Sequence, residues 1–245
     1  MHSSICSSPG RSSGVSARLL NISLLLLAGH GFAQQTVSIP IPKTQQRIQA
    51  DLYEGAENNG GRRGIVLAHG GRFDRASWRK QAQTLANHGF VVLAISFRGD
   101  GKNPDGSPGA FGSTPDNATD VLAAVAYLHD RGMKQVSAIG GSMGGDAVGE
   151  ADARSVPGEI DRIVLLGSSG GDFPEKLTGR KLFLVAREDR SGAGPRLPEI
   201  TRHYEKASRP KKLIILDGSA HAQFLFDTQQ GPRVMEETLQ FVSAP

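Results

Sequence analysis

Cysteine occurs once in the 245 residues, at Cys6, and tryptophan once, at Trp78. Aromatic residues make up 6% of the chain, and no apolar run approaches the roughly 20 residues that a membrane-spanning helix requires. There is no cysteine pair, and no two histidines stand four apart. A disulfide framework, cysteine-ligated zinc and paired-histidine zinc sites are therefore excluded, and neither a metal nor a cofactor is expected. No G-x-G-x-x-G follows the first strand-like run. The Gly101-Lys102 pair has no Ser or Thr behind it and no correctly spaced upstream glycine, so it is not a phosphate-binding loop. Lysines and arginines are scattered, mostly beside acids, with no stripe interleaved with aromatics, which excludes a nucleic-acid partner. The excess of four positive charges reads as a solvated surface, and Arg11 and Arg18 account for two of them.

What is present begins with a short apolar run, Leu19–Ala28, preceded by Arg11 and Arg18 and with no acid before Asp51. Small residues, Gly31 and Ala33, stand where a signal peptidase reads. A positive start, a short apolar middle and a small-residue exit describe a secretory signal peptide over residues 1–33, cleaved after Ala33. The remainder, 34–245, is then a single domain that is secreted or periplasmic, without stable membrane insertion. It is ample for a buried core. Because Cys6 lies in the leader, the mature chain has no thiol, and thiol catalysis is excluded.

From Gln34 onward the pattern is regular. Thr36–Ile41 and Arg47–Tyr53 alternate loosely and predict two early antiparallel strands. Six short runs rich in Val, Ile and Leu follow: 64–68, 90–95, 136–139, 160–166, 181–186 and 212–216. Continuous apolar character suits strands covered on both faces. Helical stretches are predicted over 77–88, 115–131, 143–154, 198–207 and 233–242. Alternating strands and helices predict a mostly parallel eight-strand sheet flanked by helices on both faces, an α/β architecture with no large cap. The gap from Leu166 to Lys181 is too short for a lid domain.

In an open parallel sheet ligands bind beyond the carboxyl ends of the strands. The runs there deliver His69-Gly70-Gly71, then Gly140-Gly141-Ser142-Met143-Gly144, then Arg187-Glu188-Asp189, then Asp217-Gly218-Ser219-Ala220-His221. The second fits G-x-S-x-G after a strand and before a helix, the context of a nucleophile held in a sharp strand-to-helix turn. A serine hydroxyl is a poor nucleophile until a base takes its proton. His221 is the candidate, because imidazole titrates near neutrality and this histidine alone follows the last strand. Asp189 is the preferred acid to orient it, with Glu188 and Asp217 as rivals. Backbone N–H groups of Gly71 and Met143 are expected to hold an oxyanion. Arg72, Phe73 and Trp78 are candidates to line a substrate pocket.

On these motifs, and on Phe97-Arg98-Gly99-Asp100-Gly101, the chain resembles the α/β-hydrolase superfamily over roughly 34–244, close to the small cap-less esterase and dienelactone-hydrolase-like branch. The resemblance implies a second strand that runs antiparallel and a serine hydrolase acting on small-molecule esters. The chain has Ser142 where dienelactone hydrolases place cysteine. Two alternatives stay open: a serine peptidase of the prolyl or aminopeptidase type, which uses the same triad, and a non-catalytic ligand-binding protein.

Overall fold

The computed structural model describes residues 1–2, 33–55, 63–98 and 115–245. The expected leader, and Gly99-Asp100-Gly101, lie outside the described residues. The fold described is that of residues 33–245.

Eight strands form one sheet in the order β1-β2-β4-β3-β5-β6-β7-β10. They are β1 (Ala33–Pro40), β2 (Arg47–Glu54), β3 (Arg63–Ala68), β4 (Val91–Ser96), β5 (Gln135–Gly141), β6 (Arg162–Leu166), β7 (Arg180–Ala186) and β10 (Lys211–Leu216). β2 runs antiparallel to both β1 and β4, and every other pairing is parallel. β8 (Arg190–Ser191) and β9 (Gly194–Pro195) make a separate two-stranded ladder just after β7, which the sequence pattern does not announce.

The apolar runs are continuous because both faces of the sheet are covered. In β3, Val66 and Ala68 join one core cluster while Ile65 and Leu67 join the other; β4, β6 and β7 alternate in the same way. Helices α2 (Pro115–Asp130), α3 (Met143–Arg154) and α4 (Leu197–Lys206) pack on the first face, and α1 (Arg79–Asn87) and α5 (Gly231–Ser243) on the second. The helix predicted over 77–88 is split. Asp74 accepts the Ala76 N–H at 2.8 Å and caps a 3₁₀ turn, Arg75–Trp78, and the α-helix begins at Arg79. No helix among the described residues is long and apolar enough to cross a membrane.

A buried carboxylate ties the β6–β7 connection onto α3. Asp152, without exposed surface, accepts N–H bonds from Thr178 at 2.7 Å and Gly179 at 3.0 Å. Burial pushes its pKa above the ordinary carboxylate value, opposed by these bonds. Asp152→Asn turns one acceptor into a donor facing an N–H, so we expect it to lower unfolding free energy by about 1–3 kcal/mol. A urea midpoint equal to that of the parent protein would contradict this role.

Candidate active site

The parallel sheet brings four loops to one edge. β5 ends at Gly141, and Ser142 turns the chain into α3 with φ 51° and ψ −121°. That left-handed backbone is unusual for a residue with a Cβ and marks strain held by its surroundings. Two hydrogen bonds hold it: Ser142 N–H to the Leu166 carbonyl at 2.9 Å, and Asp146 N–H to the Ser142 carbonyl at 3.0 Å. Close approach does the rest. A Cβ on Gly144 would lie 2.3 Å from the Ala68 carbonyl oxygen, and one on Gly140 would lie 2.2 Å from that of Gly144. The first turn of α3 is therefore pressed against the end of β3, and only glycine fits.

Asp189 and His221 arrive from neighbouring strands. Asp189 lies three residues past β7 and is fully buried; His221 lies five residues past β10 and is partly exposed. Its Nδ1 and the Asp189 Oδ2 are 2.8 Å apart. The pair sits over the end of β6, where a Cβ on Gly167 would come within 3.0 Å of both His221 Nδ1 and Asp189 Oδ2. Gly167 follows Leu166, whose carbonyl holds Ser142, so serine, acid and histidine border the same two residues. No hydrogen bond joins Ser142 Oγ to His221 among the described residues. Neither rival acid meets the histidine: Asp217 is mostly exposed and faces Arg187 at 4.0 Å, and Glu188 is exposed.

The expected oxyanion donors are unspent. The N–H groups of Gly71 and Met143 donate to nothing among the described residues, and Met143 opens α3, where helix N–H groups lack intrahelical acceptors. His69 is wholly buried, with Nδ1 2.8 Å from the Gly70 carbonyl and its ring edge-to-face with Phe97 at 5.0 Å, so it braces its loop.

The expected lining residues divide. Phe73 stacks edge-to-face on Phe224 at 5.4 Å, and the two border a cleft of about 310 Å³ with Gln223 and Ser77. Arg72 is exposed, with φ 67°. Trp78 departs from the expectation: it is 1% exposed and packs in the core at 6.1 Å from Phe226, so it lines no open pocket. Its place at the end of the 3₁₀ turn points it under α1 instead.

Two neighbours escape sequence reasoning. Arg196 donates its backbone N–H to the Asp189 carbonyl at 2.9 Å and holds Nε 3.6 Å from Asp189 Oδ1, an ion pair beyond hydrogen-bond length. The β8–β9 ladder returns the chain to put it there, and a two-residue ladder leaves no periodic signal. Gln223 bridges two loops, a contact that no sequence spacing encodes. Burial raises the pKa of Asp146 on α3 above the ordinary carboxylate value, opposed by the Ser168 hydroxyl that donates to it at 2.7 Å. Among the described residues no three His, Cys, Asp or Glu side chains group to hold a metal ion.

Comparison with known proteins agrees with the fold. Residues 65–171 match the family model described as "Alpha/beta hydrolase family". Over 104 residues the chain is 33% identical to a non-heme chloroperoxidase of Streptomyces lividans, a stretch covering 42% of this chain and 36% of that protein. The chain thus spans little more than a third of that relative's length. Among solved structures, a dienelactone hydrolase from Anabaena variabilis superposes with TM-score 0.68 at 19% identity, covering 86% of this chain and 97% of the other. A Pyrococcus furiosus esterase superposes with TM-score 0.67 at 18% identity, covering 86% and 92%. At such identities the likeness is one of fold.

The glycine contacts separate two substitutions in one site. Gly144→Ala is expected to cost 3 kcal/mol or more, on the order of a severe core clash, whereas Gly71→Ala, with nothing within 4 Å of the added Cβ, should leave the melting temperature unchanged. Equal stabilities by thermal denaturation would refute the packing described.

Proposed function

We propose that the chain is an α/β-hydrolase, a reading supported by its fold and by the family model matched over residues 65–171, and that it is a serine hydrolase cleaving carboxylic esters through an acyl-enzyme on Ser142. The observation that carries this reading is the 2.8 Å pairing of His221 Nδ1 with buried Asp189, set over the strand end that holds Ser142 in its strained turn.

The chemistry follows from the placement. Ser142 Oγ attacks the ester carbonyl while His221 Nε2 takes its proton. Asp189 keeps Nδ1 as the donor and stabilises the imidazolium. Charge gathers on the former carbonyl oxygen, where the N–H groups of Gly71 and Met143 are free to receive it, each worth roughly 10²–10³ in rate. The tetrahedral species collapses, and His221 delivers the proton to the departing alcohol. Water, deprotonated by the same imidazole, then attacks the acyl-enzyme, and collapse of the second tetrahedral species returns the Ser142 hydroxyl and releases the acid. With no large cap among the described residues, small or short-chain acyl groups fit this reading, and the names esterase and dienelactone hydrolase borne by structural neighbours agree with ester chemistry. Read as a secretory leader, the positive, then apolar, then small-residue pattern of residues 1–33 supports a location outside the cytoplasm, in the periplasm or the medium.

A fluorophosphonate probe is expected to label folded protein at Ser142. Ser142→Ala should lower kcat on short-chain nitrophenyl esters by about 10⁶. Labelling elsewhere, or unchanged turnover, contradicts the reading. Faster turnover of aminoacyl amides than of esters would move the assignment to a peptidase, and absence of both labelling and turnover would leave a ligand-binding protein.

A further inference from the structure

Three loops meet at one side chain that the reaction itself does not use. Gln223 follows His221 by two residues, in the 3₁₀ turn Ala222–Asp227, and is 7% exposed. Its Oε1 accepts the Gly70 N–H at 2.8 Å, and its Nε2 donates to Ser77 Oγ at 2.7 Å. Ser77 Oγ in turn donates to the Asp74 carbonyl at 2.7 Å. This network fixes the amide's orientation. A backbone N–H can only donate, so it must meet the oxygen, and the serine's hydrogen is engaged by Asp74, so its oxygen accepts the amide N–H.

The same side chain lies along the nucleophile turn. A Cβ on Gly141 would come 3.2 Å from Gln223 Cγ, and one on Gly70 would come 3.4 Å from Oε1 and 3.6 Å from the Cβ of Ser142. The glutamine thus stands between the loop that carries Gly71 and the turn that carries Ser142, and is anchored two residues from His221.

We propose that Gln223 is a positioning residue that fixes the oxyanion-binding loop relative to Ser142 and His221; this rests on the hydrolase reading above. The physical logic is one of peptide planes. By capturing the Gly70 N–H, Gln223 sets the peptide unit before Gly70 and leaves the next N–H, that of Gly71, as a free donor. The bond to Ser77 stops the amide from rotating away, and burial strengthens both bonds. A fixed donor gives more transition-state stabilisation than one that must reorganise, whereas ground-state binding of a small ester depends little on it.

Gln223→Met keeps the length and removes both hydrogen bonds. It is expected to lower kcat for a short-chain nitrophenyl ester about 10–100-fold, the scale of a small misplacement in a catalytic site. KM should stay within about twofold, and affinity for an arylboronic acid, whose serine adduct needs the same donors, should fall by the same factor as kcat. Ser77→Ala, which keeps the Gly70 bond and frees the amide's other end, should give a smaller fall in the same pattern and serves if the methionine variant folds poorly. Amide hydrogen exchange at Gly70 reads the bond without any activity, and should accelerate about tenfold or more in Gln223→Met. Unchanged exchange overturns the proposal. So does a loss confined to KM or melting temperature while boronate affinity is intact. Accelerated exchange in a protein whose Ser142 resists the fluorophosphonate would sink the hydrolase reading while leaving the glutamine's hold on the loop standing.

Discussion

The left-handed backbone at Ser142 is the constraint around which the edge of the sheet is arranged. A residue with a Cβ held at φ 51° and ψ −121° costs on the order of 1–3 kcal/mol. It persists because the neighbouring structure leaves no alternative. The Leu166 carbonyl takes the Ser142 N–H, the Ser142 carbonyl receives the Asp146 N–H, and the bare faces of Gly140 and Gly144 let α3 close on the carbonyls at the end of β3. The turn leaves the unspent N–H of Met143 at the head of the helix.

The second organising element is electrostatic. Asp189 is completely buried, and a buried carboxylate is tolerated only with partners. It has His221 on one oxygen and the Arg196 guanidinium near the other. The arginine follows the short β8–β9 ladder that starts directly after the acid, so one local excursion of the chain supplies both the carboxylate and its counter-charge. The acid, histidine and glutamine together make the loops after β7, β10 and β3 a linked unit rather than three independent tips.

Much of this was legible in the sequence because fully covered strands write themselves as unbroken apolar runs. All eight sheet strands lie where such runs or the early alternation stand, and Ser142, Asp189 and His221 follow their strands within five residues. What was not legible shares a cause: a single chain does not distinguish a buried polar or aromatic group from an exposed one. Trp78 beside a glycine-rich loop reads as pocket lining, yet the Asp74-capped turn carries it into the core. Gln223 and Arg196 read as ordinary loop residues, and only the fold brings Gly70 to the first and Asp189 to the second. Asp152 likewise looks like a helix surface charge until the β6–β7 connection closes over it.

In the proposed hydrolase, Ser142, His221 and the free N–H groups of Gly71 and Met143 act on one reacting centre. A crystal structure of the protein inactivated by a small methyl fluorophosphonate tests it most directly. Phosphorus is expected on Ser142 Oγ, with the phosphoryl oxygen about 3 Å from both backbone nitrogens and the His221 ring beside the adduct. An adduct on another residue, or a phosphoryl oxygen turned away from both nitrogens, would contradict it.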